Sequence, residues 1–204
     1  KQTLYLAEEF AKHFLDIHFL TASNTKLPFK THQVSACPWP GFLTLEQFNK
    51  SCKKWIDQNN PEIIFGLDRN SHQTHLRMGN GVHKVFLEKR SHYENAFKKW
   101  TFKTNPYHQK ILSLEKKGIE NPHLKALFVN STMVKNDILN HFEIEEKKIH
   151  VIHNGVEWKE SIGFFENWQD EKKTFSKKTH LDPDCFQFIF IGNGYFRKGL
   201  KPLL

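Results

Sequence analysis

Gly192-Asn-Gly-Tyr-Phe-Arg-Lys-Gly199 sets three glycines and two adjacent cations within one short turn. Glycines let backbone N–H groups come close to an anion, and Arg197 and Lys198 add positive charge at the same place. A diphosphate needs that combination of fixed donors, a helix start and one or two cations. An ordinary strand-to-helix turn with solvated cations would carry the same residues, so the turn alone leaves both readings open. Other chemistries are poorly supplied. His72 and His75 are three residues apart, with His83 and His92 downstream, yet no cluster of Cys, Asp or Glu completes a zinc-like set, and Asp68 alone is too little. No metal is expected. No Ser–His–Asp order or nucleophile elbow occurs, Ser131 reads as a helix cap, and spacing identifies no glycosidase-type carboxylate pair. Cys37, Cys52 and Cys185 are an odd number without C-x-x-C spacing, which fits a reducing compartment.

Charge marks a second region. Residues 82–117 hold nine Lys or Arg against three Glu, a net +6 of the chain's +8. Phe86, Tyr93, Phe97, Trp100, Phe102 and Tyr107 are interleaved with them. Such a mixture suits an anionic membrane surface or nucleic-acid phosphates, and equally a solvated helix face in a Lys-rich protein. No nucleic-acid-binding motif accompanies it, so no nucleic-acid partner is expected. At 204 residues with 25% charged and 38% hydrophobic residues, the chain is globular in composition, and no apolar run reaches the length of a membrane span. It starts at Lys1 and ends where a helix is about to begin, which reads as an internal piece of a longer protein.

Elements must hold these residues in place. Leu4, Ala7, Ala11 and Phe14 follow a helical period, and Ile17-His-Phe-Leu20 reads as a strand. Thr44 with Gln47 forms a capping-box signal before a helix carrying Leu45, Phe48, Cys52, Trp55 and Ile56, which ends at Asn59-Asn-Pro61. Glu62–Gly66 reads as a strand, Arg69–Gly81 as a loop, and a helix resumes at Val82. Asn105-Pro106 opens a helix that Gly118 closes. Leu124–Val129, Lys148–Ile152 and Phe186–Ile191 read as strands, with Asn130-Ser131 capping the helix between the first two. Alternating strands and helices predict an α/β fold, a parallel sheet covered on both faces with ligands at the strands' carboxyl ends. The segments leaving those ends are 67–81, 130–131, 153–157 and 192–199. His83, just inside a helix start, suits either packing on the turn or a substrate contact.

Phe190-Ile-Gly192 through Arg197-Lys-Gly199 resembles the start of the donor-binding domain of family-four retaining glycosyltransferases. Asn130–Ile138 followed by Lys148–Val156 is similar to that family's strand–helix–strand leading to the interdomain hinge, with Glu157 where an Asp is usual. Arg77-Met-Gly-Asn-Gly-Val-His83 resembles a loop of the lipopolysaccharide core glucosyltransferase branch, with Asn80 in place of its common Asp. An amide hydrogen-bonds a sugar hydroxyl but neither acts as a base nor carries charge.

The resemblance implies a GT-B architecture of two Rossmann-like domains with the active site between them. Residues 1–156 would be the N-terminal, acceptor-side domain without its first strand, and 157–204 the hinge and truncated start of the donor domain. It implies transfer of a sugar from a nucleotide-diphosphate donor to a lipid-linked or lipopolysaccharide acceptor, with retention and without cofactor or metal. Gly192, Gly194, Arg197 and Lys198 would bind the donor, Arg197 and Lys198 would stabilise the departing diphosphate, and Arg77, Asn80 and His83 would lie on the acceptor side or against the transferred sugar. The enzyme would be cytoplasmic, held on the inner membrane face through residues 82–117, and this piece alone inactive. A nucleotide-sugar epimerase of the same architecture and a basic nucleic-acid-binding module are the alternatives.

Overall fold

The computed structural model describes every residue except Lys1, Phe14, Leu15, Asp68, Val156, Glu157, Pro183, Asn193, Phe196 and Arg197. The chain divides into two compact units, Lys1–Asn154 and Gly155–Leu204.

The first unit opens with α1 (Gln2–Ala11) and then β1 (His18–Thr21), which pairs in parallel with β2 (Lys30–Gln33). β2 leaves no strand signal in the sequence, because Lys-Thr-His-Gln has no apolar residue to mark burial. α2 (Gly41–Asn59) follows. It starts a turn before the expected capping box. Thr44 is inside the helix and its hydroxyl donates back to the Pro40 carbonyl, so it does not cap.

The main sheet is fully parallel, in the order β3 (Phe65–Gly66), β4 (His75–Met78), β5 (Ala126–Val129), β6 (Ile149–Val151). β4 corrects the reading of 69–81 as loop. Its Leu76 and Met78 are buried while His75 and Arg77 are only half-buried, the period-two pattern of a strand. Four residues amid Asn, Ser, His and Gln were too short a signal.

From β4 the chain runs through α3 (His83–Ser91), α4 (Ala96–Thr104) and α5 (Pro106–Ile119) to β5, then through α6 (Thr132–His141) and a 3-10 turn at Glu146–Lys148 to β6. Asn105 caps α5, accepting from the Tyr107 N–H, with Pro106 at the first helical position as expected. Ser131, not Asn130, caps α6 by accepting from the Val134 N–H. Gly118 does not terminate α5. It lies inside the helix, one residue before its end, and a Cβ there would stand 2.8 Å from the Asn70 carbonyl oxygen, so the position requires glycine for close approach.

The core gathers Leu76, Met78, Leu127, Val129 and Ile149 of the sheet with Val85, Ile119, Val134 and Ile138 of the helices. Each such side chain contributes about 1.5–3 kcal/mol by leaving water. The other face carries aromatic rings, with Phe65 and Phe128 stacked at 5.8 Å and Phe10 of α1 edge-on to Phe65 at 5.7 Å.

The second unit holds α7 (Trp158–Glu166), α8 (Trp168–Thr179) and the short α9 (Leu200–Leu203). The expected strand over 186–191 is not formed. Phe186, Phe188, Ile189 and Ile191 are all exposed, and the described residues of this unit include no strand for them to pair with. Among the described residues no helix is long and apolar enough to cross a membrane.

Candidate functional site

The carboxyl ends of β3, β4 and β5 meet two loops, 67–74 and 79–82, that come from opposite ends of β4. The first is pinned by polar side chains. Asn49 of α2 accepts through Oδ1 from both the N–H and the hydroxyl of Ser71, at 2.9 and 3.1 Å. Asn121 donates to the Ser71 carbonyl at 2.8 Å, and the Asn70 side chain accepts from the His72 N–H. Asn70 also bonds the Cys52 thiol, which burial pushes up to about 11, so that cysteine is an inert packing group.

Glu115 of α5 lies beneath this loop with 3% of its side chain exposed. Both its oxygens accept from the His83 N–H, at 3.1 and 3.0 Å, and one accepts from Arg69 Nε at 3.3 Å. The carboxylate thus occupies the start of α3, where unpaired N–H groups favour negative charge. Burial still raises its pKa above the ordinary carboxylate value, and Arg69 and the His83 N–H offset only part of that.

The second loop is held by its neighbours. Asn130 donates to the Gly79 carbonyl at 3.0 Å, and the Asn130 carbonyl meets His153 Nδ1 at 3.2 Å. Arg77 donates through Nη2 to Asn154 Oδ1 at 3.2 Å. Its guanidinium also folds over Gly79, where an added Cβ would stand 2.7 Å from Nη1. Gly81 sits at φ +72, so the loop turns into α3 through a conformation side chains resist. Between the loops is a cleft of about 50 Å³ whose lining includes Arg69, Asn70, Arg77, Asn80 and Glu115.

Of the residues singled out from sequence, Arg77 and Asn80 line this cleft and Asn80 is exposed there. His83 reaches the site through its backbone N–H. Its imidazole is buried, Nε2 lies 3.0 Å from His108 Nδ1, and the ring stacks on Phe86 at 5.8 Å. Burial, then the charge of Arg69 and the neighbouring His108, push the His83 pKa down to about 4, and burial also lowers His108. Two neutral rings share this contact, one donating and one accepting.

In the second unit, Gly192, Gly194 and Gly199 have φ of +152, +75 and +79, so the turn uses glycine's freedom at all three. Lys198 folds back over Gly192, its Cε 3.4 Å from where a Cβ would stand, and its N–H donates to the Gly194 carbonyl at 3.1 Å. Arg197 lies outside the described residues, as do Asp68 and Glu157.

On the 82–117 segment, α4 is capped by Asn95, which accepts from the Lys98 N–H. Phe97 and Trp100 are 72% and 60% exposed with ring centroids 6.2 Å apart, beside the exposed Lys99 and Lys103, while Phe102 turns inward under Arg90 at 5.1 Å.

Sequence reasoning missed Glu115, Arg69 and His108. Glu115 had left a trace, because it stands on the stripe Ile111, Leu114, Gly118, Ile119 that α5 buries, where a charge is out of place. Arg69 and His108 left none, since their roles depend on contacts between distant segments.

Set against known proteins, residues 1–159 match the family model Glycosyltransferase Family 4. The chain superposes on WaaG, described as a glycosyltransferase involved in lipopolysaccharide biosynthesis, with a TM-score of 0.74 at 13% identity. That likeness, which shows a shared GT-B fold, covers 98% of this chain and 53% of WaaG, so the chain spans about half of that protein's length. No curated protein matches it.

Proposed function

The chain belongs to glycosyltransferase family 4, and from that membership we propose that the protein moves a sugar from a nucleotide-diphosphate donor to a lipid-linked or lipopolysaccharide acceptor with retention at the anomeric carbon. The observation that carries this reading is the meeting of Arg69, Arg77 and the 79–81 loop at the carboxyl ends of a parallel sheet in a family-four chain. The acceptor hydroxyl attacks the anomeric carbon from the face that the diphosphate leaves. The bond to the diphosphate breaks, and the hydroxyl proton passes to a departing phosphate oxygen. Lys198 and Arg197 stabilise the negative charge that grows there, and a cation fixed in advance favours the transition state over the ground state. Arg77 and Asn80 face the acceptor or the transferred sugar, and His83 shapes that wall from behind. No metal takes part.

We further propose that α4 rests on the anionic inner face of the cytoplasmic membrane. Phe97 and Trp100 enter the headgroup boundary while Lys99 and Lys103 meet the lipid charge. The test is nucleotide release by the purified protein that contains this chain, offered a panel of nucleotide sugars with and without lipopolysaccharide acceptor. Release from one donor, raised by acceptor, is the expected result. Interconversion of the donor sugar without release would establish the epimerase instead.

A further inference from the structure

The 50 Å³ cleft between the two loops has a definite size and charge. A water needs roughly 10–15 Å³ on the same measure, so the space holds about three to five water-sized atoms. A phosphoryl or carboxylate group fits that space, and the rest of its carrier would extend through the open mouth of the cleft.

Its polar wall is mainly cationic and donating. Arg69 gives its Nε to Glu115, and among the described residues its two terminal nitrogens have no partner. Arg77 is held by one neutral bond to Asn154 and by its packing over Gly79, so its charge has no carboxylate opposite it among the described residues. Asn80 is exposed at the same rim, and among the described lining residues Glu115 is the sole acid, with both oxygens already engaged. Two guanidinium forks around a space of that size select an oxyanion, which each grips by parallel hydrogen bonds.

We infer that this cleft is a subsite for an oxyanion, a phosphate monoester or carboxylate, carried by the acceptor sugar. The neutral hydroxyls of the acceptor would then be recognised by Asn80 and the backbone of 79–81, while Arg77 and Arg69 select acceptors that bear a negative group. This rests on the acceptor-side reading given above and adds to it the charge of the acceptor.

The test is calorimetric titration of the chain at low salt with glucose 6-phosphate, glucuronate, neutral glucose and uridine diphosphate. The two anionic sugars should bind at least tenfold tighter than glucose. Arg77→Gln should lose about 10- to 100-fold of that affinity, the size expected for a charged hydrogen bond, and Arg77→Lys should retain part of it. Thermal unfolding of each variant checks the fold; Arg77 is the residue to change because removing Arg69 would strand the buried Glu115. Binding of glucose as tight as its phosphate, or an unchanged affinity in folded Arg77→Gln, would overturn the subsite. Displacement of glucose 6-phosphate by uridine diphosphate would overturn its assignment to the acceptor. The outcome is separable from the transferase reading. Nucleotide release onto an anionic acceptor at an unchanged rate in Arg77→Gln keeps the transferase and removes the subsite, whereas Arg77-dependent binding without any release does the reverse.

Discussion

Replacing Glu115 by alanine removes the one acid that ties α3, α5 and the 67–74 loop together. Breaking a buried ion pair costs about 3–5 kcal/mol. A third of the Arg69 side chain is exposed, so its stranded charge rehydrates and the cost falls to about 2–3 kcal/mol. That includes the orphaned His83 N–H, which has no other acceptor among the described residues. For a unit as large as Lys1–Asn154, each kcal/mol lowers the melting temperature by about 2–4 °C, so a drop of about 4–12 °C is expected. Glu115→Gln should cost less, because one amide oxygen still accepts from His83 and no charge is buried. The pH dependence separates these contributions. Burial raises the Glu115 pKa above 4.5, so in the window above that value the folded chain holds more of the proton than the unfolded one. Stability from this group therefore falls as pH rises through the window, and Glu115→Gln abolishes that slope. Urea unfolding of wild type and both variants from pH 4 to 8 reads it directly. A wild-type minus Gln difference that is flat or rises with pH would refute the claim that burial outweighs Arg69.

His83 has the opposite sign. Its folded pKa is about 4 against about 6.5 unfolded, so it contributes up to about 3 kcal/mol that is present above pH 6.5 and lost between 6.5 and 4; His83→Gln should flatten the acid limb of the same urea series. Gly118→Ala forces a Cβ to 2.8 Å from the Asn70 carbonyl and should cost about 1–3 kcal/mol, whereas Gly163→Ala in α7 meets nothing within 4 Å and should gain about 0.5–1 kcal/mol; opposite signs in denaturation by circular dichroism are the check. Phe97→Ser with Trp100→Ser should weaken sedimentation with anionic vesicles about tenfold or more, and salt should weaken the wild type too; indifference to both would remove α4 from the membrane. Lys198→Ala in the protein that contains this chain should lower turnover about 10²- to 10³-fold with a smaller effect on donor affinity, and near-normal turnover would mean the diphosphate lies elsewhere.

The fold was legible where burial leaves a period in the sequence. Leu124–Val129 announces itself because the strand it builds is buried in the sheet, and α5 announces itself by its Asn105-Pro106 start. β4 was hidden because half of a four-residue strand is polar. His75 lies against Phe128 at 6.5 Å and Arg77 goes to the cleft, so neither needs an apolar side chain. The 186–191 run shows the converse. Its apolar sequence satisfies the local condition for a strand, but a strand also needs a neighbour's hydrogen bonds, which no local pattern supplies.

The site divides along the same line. Asn80 and Arg77 were named through the resemblance of their loop to a family motif, and one turn carries both to the cleft. Arg69 and Glu115 are 46 residues apart and meet only because the fold brings the segment before β4 against α5. Polar groups brought together in that way stay buried only when each finds a partner. The unusual feature of α5 is therefore informative by itself. A carboxylate on a stripe of Ile, Leu and Gly must be paid for by donors from elsewhere in the chain, and here those donors are the start of α3 and the guanidinium that walls the cleft. The buried acid fixes one arginine, while the other, held by Asn154 and Gly79, faces no carboxylate among the described residues, which is the arrangement expected of a site that awaits an anion.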